Sequence, residues 1–301
     1  MENYSRNDFG NDFVRPKKAL GQHFLVDLNI ARKIVDALST DHDVVIEVGA
    51  GTGVLTQYLI ENQLEKLQVV EVDTESVEFL KRKFPMLEGH LIHGDFLKYD
   101  ISQSSFRAEQ TDHDRHFDRP QGAEKSPAIE GDSSAALGMT GNDVGVIGNF
   151  PYNISSQIFF HILKYKDNVS ECVGMIQKEV AERIAARHGS KTYGILSVLL
   201  QAWYDIEYLF TVNENVFNPP PKVKSAVIRL KRNSVKELGC DEKMFVTVVK
   251  QAFNQRRKTL RNSLRSMIPT EIIDNEIFDK RPEQLSVAEF VELTQLISTQ
   301  K

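Results

Sequence analysis

Three glycines spaced two apart, at positions 49, 51 and 53, follow directly on the apolar run Val44-Val45-Ile46-Glu47-Val48. Such a run reads as a strand buried on both faces. Glycines after it let the chain turn sharply and bring bare backbone against a ligand. A strand, this turn and then a helix near Val54–Glu61 belong to open α/β sheets, which bind ligands outside the carboxyl ends of their strands. The dinucleotide fingerprint G-x-G-x-x-G is not met, because position 54 is valine and the third glycine comes one residue early.

The rest of the chain extends the same pattern. Asp27 is placed to cap a helix whose Ile30, Ile34, Val35 and Leu38 recur at helical spacing. Further strands are predicted at Leu67–Val72, His90–His93, Val144–Ile147 and Cys172–Ile176. Helices are predicted from Thr74, as a cap, to about Phe84, over Ser155–Tyr165 with Ile158, Phe159, Ile162 and Leu163 inward, and over Glu179–Arg187. This alternation implies a doubly wound parallel sheet with helices on both faces. Ser225–Leu230 is a last strand, and everything from Asp241 onward is helical in character, with Ser286 and Glu289 forming a capping box. The division is a disordered tail at 1–14, an α/β domain at 15–235 and a small all-α domain at 236–301. Residues 101–143 are rich in Ser, Asp, Glu, Gly and Ala, with few apolar anchors, and read as a disordered surface insertion.

Composition narrows the partners. The 301 residues carry a formal net charge of −5, yet from Phe217 to Arg265 thirteen Lys/Arg oppose three acids. A basic stretch on an acidic chain suggests a polyanion-binding face, the alternative being a solvated helical surface. The two cysteines, Cys172 and Cys240, cannot build a disulfide framework or a cysteine-rich zinc site. His113 and His116, beside Asp112 and Asp114 in the insertion, are expected to be solvated, so no metal is expected. No apolar run reaches the roughly 18 residues of a membrane span. The first fifteen residues are polar and include Glu2, Asp8 and Asp12, unlike a signal or transit peptide. A cytoplasmic monomer is the expectation.

The chemistry concentrates at strand ends. The Glu47–Gly53 spacing fits the acid-x-G-x-G-x-G turn of class I methyltransferases, which bind S-adenosylmethionine. Glu71, ending the second strand, is placed to accept from ribose hydroxyls, since a carboxylate is an acceptor only. Asp95, ending the third, can accept from the exocyclic amine of a cofactor adenine, and Phe96 can cover the ring. Asn149-Phe150-Pro151-Tyr152 follows the fourth strand. The Asn149 side-chain oxygen and the Pro151 carbonyl can both accept from an adenine amine, holding a poor nucleophile in line with a methyl sulfonium. Tyr152 offers a stacking face to a base that is extruded or unpaired. The stiff loop Phe217–Val223 could fix Phe217 as the opposite wall; a core phenylalanine before a proline turn is the equal alternative.

These residues together closely resemble the KsgA family of small-subunit ribosomal RNA adenine dimethyltransferases. The likeness is carried by Leu20–Leu25, the Glu47–Gly53 turn, Glu71–Asp73, Gly94–Phe96, Asn149–Ser155, Gln177–Arg183, Tyr193-Gly194, Phe217–Val223 and Ala252–Leu264. It implies a class I methyltransferase, Rossmann-like, with a small all-α C-terminal domain. It also implies dimethylation of N6 on two adjacent adenosines in the 3′-terminal hairpin loop of 16S rRNA, with a role in subunit biogenesis. By position, His23, Leu25, Gly49, Gly51, Glu71, Asp95, Phe96 and Asn149 match cofactor contacts, and Asn149, Pro151 and Tyr152 the base-holding motif. Two departures stand out: the family often has Asn where His23 stands, and its connection before the fourth strand is much shorter than residues 101–148.

Gln251–Arg265 reads as one helix, with Val249, Phe253, Leu260, Leu264 and Met267 toward the core and Arg257, Arg261 and Arg265 four apart on another face. Arg256 and Lys258 widen this stripe, and Lys17, Lys18 and Lys222 extend it toward the site, making a candidate RNA-binding face. The rivals are a large-subunit rRNA adenine methyltransferase, a DNA adenine methyltransferase, and a non-catalytic assembly or nucleic-acid-binding factor.

Overall fold

The computed structural model describes residues 14–104 and 142–298. Its strands and helices are β1 (Phe24–Leu25), α1 (Leu28–Val35), β2 (Val44–Val48), α2 (Thr56–Gln63), β3 (Leu67–Glu71), α3 (Thr74–Lys83), β4 (Leu91–His93), β5 (Val144–Asn149), α4 (Ser155–Lys164), β6 (Val169–Gln177), α5 (Lys178–Ile184), α6 (Ile195–Gln201), β7 (Tyr204–Val212), β8 (Phe217–Asn218), β9 (Ser225–Arg232), α7 (Glu242–Asn254), α8 (Leu260–Ser263) and α9 (Val287–Ser298). Seven strands make one sheet in the order β4-β3-β2-β5-β6-β9-β7, and β1 pairs with β8 in a separate two-stranded ladder. β4 to β6 run parallel, while β9 and β7 are antiparallel. From β2 the chain moves outward to β3 and β4, then crosses back to β5. The strand order reverses beside β2, which opens a crevice at the carboxyl ends of these strands.

β2 is buried along its whole length, its four apolar residues and Glu47 alike. Asp27 caps α1 by accepting the N–H groups of Asn29 (2.9 Å) and Ile30 (3.0 Å). Ser286 and Glu289 make the reciprocal bonds of a capping box, at 2.8 and 3.2 Å. Asp73, not Thr74, holds the cap position of α3, and its carboxylate turns to Lys17 and the Ser76 hydroxyl rather than to the helix N–H groups.

Other expectations are revised. Val14 is buried, so residue 14 packs with the domain rather than standing outside it. Ile101 is buried too, an apolar anchor on a short turn capped by Asp100, so residue 101 also belongs to the packed domain. Ser104 and Asn142 meet through a 2.6 Å hydrogen bond; His113 and His116 lie outside the described residues. Gln251–Arg265 is not one helix: α7 stops at Asn254, a turn spans 255–259, and α8 is a single turn. Phe245, Val248, Phe290 and Leu293 of α7 and α9 join the same apolar core as Leu199 and Leu200 of α6. The C-terminal helices therefore share a core with the sheet domain.

At the amino ends of the strands, opposite the crevice, His42 is 3% exposed and bridges two carboxylates. Its Nδ1 lies 3.3 Å from Asp143 and its Nε2 lies 3.1 Å from Glu171, which also accepts the Ser39 N–H at 3.0 Å. Burial alone would lower the imidazole pKa, but Asp143 and Glu171 together raise it to about 9. Both carboxyls sit below their ordinary values; burial opposes this shift, and the hydrogen bonds from His42, together with Ser170 at Asp143 and Ser39 at Glu171, outweigh it. This histidine's stability contribution is full below the unfolded pKa of about 6.5 and is lost as pH rises through 9. Denaturant unfolding of the wild type and His42→Asn should therefore differ most near pH 6. The gap should shrink by about 3 kcal/mol toward pH 10, and a pH-independent gap would show the imidazole to be neutral throughout.

Candidate active site

The glycine turn closes the crevice. Gly51 has φ +56°, and a Cβ there would stand 2.7 Å from the Phe24 ring; at Gly53, φ is +75° and a Cβ would collide with Phe84. The turn is fixed by Glu71, whose two oxygens accept the Gly51 N–H (2.9 Å) and the Asp73 N–H (2.8 Å). Each oxygen keeps a lone pair for a hydroxyl. Burial pushes the Glu71 carboxyl above its ordinary pKa, and these two bonds work against that push. Glu47 lies fully buried under the same turn, and burial, then the nearby Glu71, raises it to about 8. Burial thus favours the neutral form at Glu47 most strongly, while the bonds from Gly51 and Asp73 favour the carboxylate at Glu71.

The cleft so formed encloses about 360 Å³ and is lined by Gly49, Gly51, Glu71, Asp95, Phe96, Asn149 and Pro151, among others. Asp95 accepts the Leu97 N–H with one oxygen at 3.0 Å and has the other for an amine. The Phe96 ring is 4% exposed and set edge-on against His161, centroids 5.0 Å apart. Val72, half-exposed just after the strand-end acid, lines the same wall, as do Leu20 and Leu97. Sequence reasoning passed over these three, since isolated apolar residues beside a motif carry no periodic signal. Leu25 does not line the cleft: its side chain is 2% exposed and belongs to the core, because β1 pairs with β8 and turns it inward.

Asn149 ends β5. Its Nδ2 donates to the His23 carbonyl at 2.9 Å, so its Oδ1 is presented as an acceptor. The Pro151 carbonyl accepts the Ile154 N–H at 3.1 Å and keeps a second lone pair. The Tyr152 hydroxyl is 2.5 Å from Ser225 Oγ, and its ring stacks on His23. Tyr152, Gln177, Pro219, Pro220, Pro221 and Lys222 belong to a neighbouring vestibule of about 450 Å³. Phe217 lines neither cavity. Its ring is 3% exposed in the core, since the register sets it opposite Leu25, and the proline loop forms the vestibule's wall instead.

The sequence model for ribosomal RNA adenine dimethylases matches residues 14–298. The chain belongs to this family. It is 55% identical over 284 residues to the ribosomal RNA small subunit methyltransferase A of Parabacteroides distasonis, covering 93% of each chain. It is 52% identical over 288 residues to the protein of the same name from Cytophaga hutchinsonii, covering 95% of this chain and 98% of that one. Among solved structures, it is similar to a dimethyladenosine transferase from Plasmodium falciparum (TM-score 0.65, 21% identity, 90% of this chain and 96% of that one). It is also similar to the 23S rRNA methyltransferase ErmE (TM-score 0.57, 21% identity, 89% and 99%). The fold is that of class I methyltransferases.

In this rRNA adenine dimethylase, the cleft fits S-adenosylmethionine. A carboxylate with free lone pairs at Glu71, another at Asp95, and the bare backbone of Gly49 and Gly51 supply the acceptors and close approach that a ribose, an adenine amine and a methionine tail require. No group of three or more metal-ligating side chains occurs among the described residues, nor does a helix long and apolar enough to cross a membrane.

The basic residues separate into two sets. Lys17 is held by Asp73 and lies 3.6 Å from Glu75; Arg261 is locked by Asp279 (2.7 Å), the Ile273 carbonyl and Asp274 (3.8 Å). Both pairs are structural, and the breaking of the helix at 255–259 dissolves the expected stripe. Arg256 donates to the Lys191 carbonyl and ties the turn to the loop after α5. Lys18 and Lys222 are exposed at the vestibule, and Arg257, Lys258 and Arg265 are exposed with no protein partner among the described residues. Replacing Asp95 by Ala should raise the Kd for S-adenosylmethionine about tenfold, the scale of one lost hydrogen bond to a charged group. Calorimetric titration checks this; an unchanged Kd would remove Asp95 from the cofactor site.

Proposed function

We propose that this rRNA adenine dimethylase transfers two methyl groups from S-adenosylmethionine to N6 of each of two adjacent adenosines. These lie in the 3′-terminal hairpin loop of 16S rRNA in the small ribosomal subunit, and the protein acts as a cytoplasmic monomer in subunit biogenesis. The observation that carries this reading is the Asn149 amide, tethered at Nδ2 so that Oδ1 and the Pro151 carbonyl both offer acceptors beside the cofactor cleft. The resemblance of the whole chain to small subunit methyltransferases supplies the substrate.

When bound, S-adenosylmethionine supplies an electrophilic methyl group on a sulfonium. The chain's own residues do the rest. Glu71 and Asp95 orient the donor by its hydroxyls and amine. Asn149 Oδ1 and the Pro151 carbonyl hold the two N–H groups of the target amine and stabilise positive charge as it forms on nitrogen. Tyr152, anchored through Ser225, provides the face for the extruded base. Lys18 and Lys222 neutralise phosphates at the vestibule, and the exposed Arg257, Lys258 and Arg265 neutralise phosphates along the C-terminal segment.

Nucleoside mass spectrometry after incubation with unmethylated small subunits, large subunits and duplex DNA tests the assignment. N6,N6-dimethyladenosine is expected in small-subunit RNA alone. Product in either other substrate would move the assignment to a rival enzyme. Binding to small subunits without product would favour an assembly factor. Asn149→Ala should lower kcat by about 10²–10³ with little change in subunit binding, the usual effect of removing one preorganised hydrogen-bonding group; wild-type turnover would end the positioning mechanism. Arg257→Ala with Lys258→Ala should flatten the salt dependence of subunit binding by about 1.5 units of slope. Arg261→Ala should instead lower Tm, and a slope moved only by Arg261 would reverse the division between the two sets.

A further inference from the structure

Gln22 and His23 line both the cofactor cleft and the vestibule, and the His23 ring stands at their junction. It stacks on Tyr152 with centroids 5.4 Å apart and planes at 27°, and its Nδ1 donates to the Pro219 carbonyl at 2.8 Å. The face that a target base needs on this side of Tyr152 is therefore already covered. A flat base inserted between the two rings would hold them about 7 Å apart, two van der Waals contacts instead of one. One ring has to yield. Tyr152 is half-buried and anchored through Ser225. The His23 bond to Pro219 is exposed to solvent, so the imidazole is the ring with somewhere to go.

We infer that His23 is a gate: it fills the base's seat on Tyr152 in the free protein and is displaced when the base arrives. The inference rests on the reading above that an adenine stacks on Tyr152. Displacement gives up an aromatic pair and a hydrogen bond. A base carrying an amine recovers both, from Tyr152 and from Asn149 Oδ1 and the Pro151 carbonyl. A base without an amine at that edge recovers only the stack. The cost of moving the ring is common to every base, so the gate lowers the affinity of any occupant while Asn149 Oδ1 and the Pro151 carbonyl do the discriminating. The His23 main-chain carbonyl, which orients Asn149, is untouched by side-chain replacement, so the ring's role can be separated from that of the backbone.

The test compares steady-state kinetics on unmethylated small subunits for His23→Ala, His23→Asn and His23→Phe. Asn retains a donor for Pro219 without a ring, and Phe retains a ring without the donor. The apparent KM for subunits should fall about two- to tenfold in the Ala and Asn variants, as removal of a competing aromatic pair allows. Phe should keep the wild-type KM or raise it. A KM that rises in Ala and Asn with the cofactor Kd unchanged would show that the ring supports the base rather than yielding to it. An unchanged KM in all three would also overturn the gate. A second measurement does not depend on the ribosomal substrate. In the wild-type protein saturated with S-adenosylhomocysteine, the His23 ring protons should be shifted upfield by the Tyr152 ring and lose that shift as adenosine 5′-monophosphate binds. Retention of the shift at saturation would overturn the gate even where methylation of small subunits succeeds. Loss of the shift alongside failed methylation would keep the gate and refute the substrate.

Discussion

The pairing of Phe24–Leu25 with Phe217–Asn218 is only two residues long, yet both cavities depend on it. It joins segments separated by nearly two hundred residues and sets the Phe24 ring against Gly51, the Pro219 carbonyl against His23 Nδ1, and the His23 carbonyl against the Asn149 amide. Two strands this short have no stability of their own. They hold because Leu25 and Phe217 are buried side by side in a core that also takes in Val173, Met175 and Val227 of the main sheet. The reacting groups are thus supported by the rigid sheet rather than by free loops, which is what positioning within a few tenths of an ångström requires.

Charge at the crevice is kept low in the same way. Two carboxyl groups, Glu47 of β2 and Glu71 of β3, lie buried beneath the same glycine turn, and two buried charges there would repel strongly. Glu71 retains the hydrogen bonds that suit an anion, from Gly51 and Asp73, while Glu47 stands in a setting that raises it to about 8. Burial thus weighs toward the neutral form at Glu47, while Glu71 keeps donors on both oxygens and lines the cleft. At the opposite end of the strands the same need is met differently, by placing His42 between Asp143 and Glu171.

The sheet was legible wherever a strand was dominated by apolar residues, as in β2, β3 and β5, because burial on both faces selects such a composition. β7 was not. Tyr204–Val212 mixes Asp205 and Glu207 with apolar residues at an antiparallel edge where only its ends are fully buried. Nor was α6, whose Ile195–Gln201 segment is apolar all round and too short to show a helical period. The split of α7 from α8 was hidden for a different reason: Val249, Leu260 and Leu264 reach one core from both sides of the turn, so the apolar spacing runs on across a break in the backbone. Within the site, strand-end positions located Glu71, Asp95 and Asn149 beside one cleft. The partners that decide what a basic residue does, such as Asp279 for Arg261 and Asp73 for Lys17, lie far off in sequence and leave no mark beside it.

If Asn149 holds the target amine as proposed, the same geometry explains why that position carries an amide and not an acid. A carboxylate beside a sulfonium would attract the donor's cation before reaction about as strongly as it attracts the charge on nitrogen afterwards, and such uniform attraction lowers no barrier. An amide dipole is weaker but directional. With Nδ2 bound to the His23 carbonyl, the oxygen end is aimed at the amine, where positive charge appears only as the methyl moves. A reversed amide would set N–H against N–H and repel the nucleophile. The tether therefore makes the difference between a group that selects the transition state and one that opposes the substrate. It comes from the main chain of His23, the residue just before a two-residue ladder, through an atom that no side-chain motif encodes.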